Sequence, residues 1–235
     1  MDDELNSSEL LKIERAYIKS GHIPVFGAFA QQLPQAFLFF NRILNSYDFS
    51  QIIELGTGHG GISLFLSLYS LLSRTPIDSE FPDAEYLRTY HYGSHHKTPK
   101  EFFTFDCKEG DKNVSKIINS MGCRFEKRDI LSNKTDEEYI GSLIAKKGRT
   151  LLLVDNGNKI KEFDMYSKYL KPGDIIMTHD FCQDEELRKF RKDNDICHWC
   201  EIQYKDIEIP CQRENIKQIH QKDAQDAAWF CGIKQ

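Results

Sequence analysis

The residues that could do chemistry begin at Glu54-Leu55-Gly56-Thr57-Gly58-His59-Gly60-Gly61. Closely spaced glycines let a chain turn sharply and bring backbone N–H groups against a small ligand with no Cβ in the way. Two spacings overlap here. Gly56-x-Gly58-x-x-Gly61 is the spacing of a dinucleotide-binding turn, whereas Glu54-x-Gly56-x-Gly58-x-Gly60 sets a carboxylate two residues ahead of the first glycine. Two phosphates would repel a carboxylate so close, so Glu54 favours a ligand that is cationic there, such as a sulfonium carrying an ammonium group. Further acids close short runs that read as strands: Asp106 after 101–105, Asp129 after 123–128, Asp155 after 150–154, and the pair His179-Asp180 after 175–178. In nucleotide-binding α/β folds an acid at the end of the second strand hydrogen-bonds the ribose, the role expected of Asp106, with Glu109 as a rival. The usual separation from the glycine turn is about 20 residues; here residues 75–100 lengthen it. With an ordinary pKa of about 6.5, His179 can serve as a general base near neutral pH.

These groups need elements to hold them. Within 50–74 a strand is predicted over 52–55 and a helix over 62–69; strands follow over 101–106, 123–129, 150–155 and 175–181, with helices over 113–121, 135–147 and 159–170 between them. The run Thr150-Leu151-Leu152-Leu153-Val154 is apolar throughout, as a strand buried on both faces requires. This alternation predicts an α/β fold, a doubly wound Rossmann-like sheet whose carboxyl edge gathers the acids where ligands bind. Residues 199–209 and 227–233 read as closing strands, and the charged run 184–192 as a solvated helix. One domain is expected over 1–235, with an N-terminal helical extension over 1–48 and an inserted loop or lid over 75–100. The aromatics and histidines of that insert (Tyr86, Tyr90, His91, Tyr92, His95, His96) either shape a pocket or belong to a solvated loop.

A net charge of −5 argues against broad binding to nucleic acid or to an anionic membrane. No apolar run approaches the roughly 20 residues of a membrane span. The start, Met1-Asp2-Asp3-Glu4, is acidic where a secretory signal is basic. Seven scattered cysteines read as reduced thiols, so a soluble cytoplasmic protein is expected, and a homo-oligomer is compatible with the sequence. His179-x-x-Cys182 with Cys197-His198-Trp199-Cys200 offers a zinc-like spacing against the simpler reading of small buried hydrophobes.

Glu54-x-Gly56-x-Gly58-x-Gly60 resembles the first motif of class I S-adenosylmethionine-dependent methyltransferases. The stretch from Leu151-Leu152-Leu153-Val154-Asp155 through Lys171-Pro172-Gly173-Asp174-Ile175-Ile176-Met177-Thr178-His179-Asp180 resembles metal-dependent small-molecule methyltransferases. The nearest pattern is the cephalosporin-hydroxylase-like and macrocin-type O-methyltransferase group, whose Gly and Gln-x-x-Pro-like segment is echoed by Gly27 and Gln31-Gln32-Leu33-Pro34. The resemblance implies a mostly parallel sheet with an antiparallel C-terminal strand. It also implies methyl transfer from S-adenosylmethionine to a small molecule, at a hydroxyl. Glu54, Gly56, Thr57, Gly58, Gly60, Asp106, Asp129 and Asp155 would bind the cofactor, Asp129 at the adenine edge. Asp155, His179 and Asp180 would be catalytic and would hold a divalent metal (Mg or Mn) that lowers the pKa of the acceptor hydroxyl. His179 departs from the all-oxygen set Mg²⁺ prefers and suits Mn²⁺, Fe²⁺ or Zn²⁺ better, so metal-free transfer with His179 as base stays open. DNA amino-methylating enzymes carry a proline-rich turn where this chain has Asp155-Asn156-Gly157-Asn158. An NAD(P)-dependent oxidoreductase and a non-catalytic module that binds S-adenosylmethionine or S-adenosylhomocysteine are the alternatives.

Overall fold

The computed structural model describes residues 23–235 except 27, 75–99, 109, 111 and 196–198, so residues 1–22 of the helical extension expected over 1–48 and all of the insert but Lys100 lie outside the described residues. The described chain begins with an antiparallel hairpin that the sequence reading missed, β1 (Ile23–Val25) and β2 (Ala28–Ala30). Helix α1 (Pro34–Ser46) opens on a proline, whose fixed φ suits a first helical turn. Strand and helix then alternate: β3 (Gln51–Leu55), α2 (Gly61–Arg74), β4 (Glu101–Asp106), α3 (Lys112–Ser120), β5 (Arg124–Lys127), α4 (Lys134–Ile144), β6 (Thr150–Val154), α5 (Lys159–Ser167) and β7 (Ile175–His179). The chain closes with α6 (Glu185–Asp193), α7 (Tyr204–Arg213), β8 (Ile216–Gln218), α8 (Gln221–Asp226) and β9 (Trp229–Lys234).

The seven-stranded sheet has the order β5-β4-β3-β6-β7-β9-β8. From β5 to β7 every pairing is parallel, and β9 runs antiparallel to both of its neighbours. This is the expected doubly wound sheet with an antiparallel C-terminal strand. Because β3 pairs with β4 on one side and β6 on the other, the strand order reverses there and leaves a crevice at the carboxyl ends of β3 and β6.

Both faces of the sheet are covered. Along β6, Leu151 and Leu153 pack with Phe40, Ile43, Leu66 and Trp229, while Leu152 and Val154 pack with Ile140, Ile144, Phe163 and Tyr166. Strand side chains alternate between faces, so a strand with helices on both sides must be apolar at every position. Asp174 fixes the opposite, amino end. Its buried carboxylate accepts the Thr150 N–H at 2.8 Å, the Lys171 N–H at 2.8 Å and the Lys171 ammonium at 2.7 Å, tying the start of β6 to the turn before β7.

The strand expected over 199–209 is absent. That stretch contributes one bridge, between Phe181 and Ile202, and then becomes α7, whose buried residues Ile207, Pro210 and Cys211 recur at helical spacing. A capping box sets the helix start: the Gln203 N–H donates to Asp206 Oδ2 at 2.9 Å. The strand that pairs with β9 is instead the short β8. No helix among the described residues is long and apolar enough to cross a membrane.

Candidate active site at the carboxyl edge of the sheet

The glycine turn lies at the switch point, between β3 and α2. Gly56 has φ +101° and Gly60 φ +83°, in the left-handed region that suits a residue without a Cβ. A Cβ on Gly56 would fall 2.4 Å from the Asp155 carbonyl oxygen, so the turn rests directly on the residue that ends β6. Gly58 differs: with φ +52°, a Cβ there would meet nothing within 4 Å and would project into open space. The Gly58 N–H donates to Asp106 Oδ2 at 3.0 Å, and the Lys108 N–H to Asp106 Oδ1 at 2.9 Å. Asp106 is thereby fixed against the turn at the end of β4, the location the ribose role requires. Thr57 packs beneath, its hydroxyl 2.5 Å from that of Thr104.

Glu54 is only 2% exposed, and its Oε2 accepts from the Ser63 hydroxyl at 2.5 Å. Burial pushes its carboxyl up to about 8; hydrogen bonds from Ser63 and Thr104 oppose the rise, and the Asp155 and Asp106 carboxylates reinforce it. None of these leading influences is a basic side chain. Asp129 is exposed two residues beyond β5. One of its oxygens accepts the N–H groups of Leu131 at 3.2 Å and Ser132 at 3.0 Å, so it also builds the local turn. Glu109 lies outside the described residues.

The second half of the site is a buried network at the ends of β6 and β7. His179 Nδ1 shares a hydrogen bond with Asp155 Oδ1 at 2.9 Å and lies 3.7 Å from Asp180 Oδ2. The other Asp155 oxygen accepts from Gln32 Nε2 at 3.0 Å, and Gln32 Oε1 in turn accepts from Trp229 Nε1 at 2.9 Å. The Trp229 ring lies 4.9 Å from the imidazole, tilted by 34°, because β9 sets Trp229 opposite His179. Burial alone would lower the His179 pKa, but the Asp155 and Asp180 carboxylates and the Asp155 hydrogen bond outweigh it, and the net direction is up. Asp180 holds a left-handed backbone, φ +58°, which aims its carboxylate into the cluster.

A lysine completes the cluster. Lys159 Nζ is 2.9 Å from Asp180 Oδ2, 3.0 Å from Glu201 Oε2 and 3.9 Å from Asp155 Oδ1. Burial would lower its pKa, but the three carboxylates outweigh that and raise it, keeping the group an ammonium. The loop between β6 and α5 is shaped by buried Glu162, which accepts from the Asn156 N–H at 3.3 Å and the Asn158 N–H at 3.0 Å. Asn158 caps α5 through the Lys161 N–H at 3.1 Å, which places Lys159 at the first helical residue.

Thus Glu54, Gly56, Thr57, Gly58 and Asp106 surround the glycine turn, and Asp155, His179 and Asp180 form one cluster beside it. Gln32, Lys159, Glu201 and Trp229 join that cluster without having been singled out as site residues from the sequence. Lys159 carried a local signal, standing four residues after Asp155 at a helix start, and Gln32 stood in the Gln-x-x-Pro-like segment.

Asp155, His179 and Asp180 offer ligand atoms within 4.8 Å of one another, a spacing open to a cation. The donors are already engaged, however: Asp155 Oδ1 by His179 and Asp180 Oδ2 by Lys159. As arranged, the set does not fit a resident divalent ion. Nor does His179 turn toward a zinc set with Cys182. The Cys182 thiol is hydrogen-bonded with that of Cys200, and Cys197 and His198 lie outside the described residues.

No protein-family model matches the chain, and no curated protein matches it. Solved structures do. The likeness is one of fold, a mostly parallel Rossmann-like sheet with helices on both faces. The structure of apo CmcI-N160 superposes with a TM-score of 0.52 at 11% identity, over 88% of this chain and 74% of that one. The apo form of SibL, an S-adenosylmethionine-dependent methyltransferase, gives 0.47 at 13% identity, over 97% of this chain and 59% of that one. Geranyl diphosphate C-methyltransferase from Streptomyces coelicolor A3(2) gives 0.44 at 8% identity, over 97% and 82%. At 11% identity the CmcI-N160 likeness speaks for the fold alone.

Proposed function

We propose that the protein transfers the methyl group of S-adenosylmethionine to a hydroxyl of a small-molecule acceptor, with His179 as the proton acceptor. One observation carries the reading: the His179–Asp155 pair, joined at 2.9 Å, abuts the glycine turn through the contact of Gly56 with the Asp155 backbone. Cofactor turn and proton acceptor are therefore parts of one site. Gly56, Thr57, Gly58 and Gly60 would cradle the amino-acid portion of the cofactor, and Glu54 would meet its ammonium charge. Asp106 would hold the ribose and Asp129 the adenine amino group.

Asp155 fixes the imidazole through Nδ1, so Nε2, which has no hydrogen-bond partner among the described residues, is the nitrogen left for the acceptor. The acceptor oxygen attacks the methyl carbon in line with the departing sulfur. A C–O bond forms as the C–S bond breaks, the proton passes to His179 Nε2, and the sulfonium becomes the neutral thioether of S-adenosylhomocysteine.

The experiment is to incubate the protein with S-adenosylmethionine and a panel of hydroxylated small molecules and to measure S-adenosylhomocysteine. Acceptor-dependent formation of that product supports the reading. Binding of the sulfur nucleotides without turnover on any acceptor would favour a binding module, and methylation confined to amines or carbon would remove the hydroxyl assignment.

A further inference from the structure

We propose that Lys159 takes the place of a divalent cation in the Asp155–His179–Asp180 cluster, so that the site works with an ammonium built into the fold. The inference rests on the reading of this cluster as the reacting end of the site, though its test does not depend on turnover. Asp155 and Asp180 are the carboxylates that would hold an ion, and Lys159 Nζ lies 3.9 Å from Asp155 Oδ1 and 2.9 Å from Asp180 Oδ2. Glu201 Oε2, at 3.0 Å, supplies a third oxygen to the same nitrogen.

An ion bound to Asp180 Oδ2 at the usual distance of about 2.1 Å would lie no more than about 5 Å from that ammonium. The lysine side chain is only 5% exposed, so little water separates the two positive charges. The lysine also has little freedom to withdraw. The Asn158 cap and buried Glu162 fix its backbone at the start of α5, and leaving would take from buried Asp180 the ammonium that lies 2.9 Å from it.

An ammonium is a compact point charge with three donors, which matches three surrounding oxygens. By neutralising Asp180 and Glu201 it leaves Asp155 to pair with His179. Proton removal from the acceptor then falls to the imidazole.

The test is a titration of the full chain with Mn²⁺, followed by the loss of the free-ion electron paramagnetic resonance signal. Wild type is compared with Lys159→Met, Lys159→Gln and the double variant Lys159→Met/Asp180→Asn. The wild type is expected to show no specific binding up to millimolar Mn²⁺. At least one of the two single variants is expected to bind at least 100-fold more tightly, with a higher melting temperature in Mn²⁺, and the double variant to lose that gain. Should both single variants unfold in isolation, refolding rescued by Mn²⁺ gives the same support, and failure of that rescue counts against the proposal. Micromolar binding by wild type that Asp180→Asn removes would overturn it, as would folded single variants that gain nothing. S-adenosylhomocysteine binding measured on the same samples reports separately on the methyltransferase reading: its absence from wild type would sink that reading and leave the Mn²⁺ result to stand.

Discussion

Replacing His179 by glutamine is expected to lower kcat by about 10²- to 10⁴-fold while the affinity for S-adenosylmethionine changes little, the range set by loss of a positioned proton acceptor. Glutamine keeps a polar group near Asp155 but cannot accept the acceptor's proton. The pH profile separates this role from a structural one. The carboxylates of Asp155 and Asp180 outweigh burial and hold the imidazole pKa above its ordinary value, and only the neutral ring accepts a proton. Wild-type activity should therefore rise with pH through an apparent pKa above about 6.5, and the variant should lose that limb. Stability carries the opposite sign. The raised pKa stabilises the fold fully below the unfolded value and loses that contribution as pH rises through the folded one, a slope absent from the variant. Steady-state kinetics and unfolding curves across pH check both. An unchanged kcat in His179→Gln would remove the base assignment.

Glu54→Gln is expected to change how both stability and cofactor binding depend on pH. With its pKa raised from 4.5 to about 8 by burial, Glu54 keeps in the folded protein a proton that the unfolded chain gives up. Between those two values the folded state binds more protons, so wild-type stability falls as pH rises, by on the order of 5 kcal/mol over the whole window. Glutamine carries no such proton and should flatten the curve, making the variant relatively more stable near pH 8. An arriving ammonium reverses the balance by favouring the carboxylate. Wild type should then release close to one proton on binding S-adenosylmethionine at pH 7, measurable by calorimetry in buffers of different ionisation enthalpy. Its affinity should rise up to about tenfold per pH unit until pH 8. The variant should show neither effect; equal proton release from both proteins would detach Glu54 from the cofactor.

The parts of the fold legible in the sequence are those set by local pattern. Leu151-Leu152-Leu153-Val154 is apolar at every position because helices cover both faces of β6, and that pattern needs no partner to be recognised. The glycine turn was legible for the same reason, and Asp106 because an acid at the end of the second strand has a fixed relation to it. Three-residue strands such as β1 and β2 carry too little alternation to stand out, and Pro24 within β1 obscures it further. In 199–209, residues with strand character form a helix instead, because packing selects the spacing of Ile207, Pro210 and Cys211. The network around His179 was only half visible. Gln32 reaches Asp155 across 123 positions and Trp229 across 197, contacts created by the sheet order that no window of sequence contains.

The most direct test of the central claim is a calorimetric titration with S-adenosylmethionine, S-adenosylhomocysteine and NAD(H), on wild type and on Gly58→Asn. A side chain at Gly58 meets no protein atom within 4 Å, and asparagine tolerates the left-handed backbone, so the variant should fold and block only what binds before the turn. Micromolar binding of both sulfur nucleotides to wild type, its loss in the variant and no response to NAD(H) are the results predicted here. Binding of NAD(H) alone, or sulfur-nucleotide binding that the substitution leaves intact, would contradict the assignment of this turn to S-adenosylmethionine.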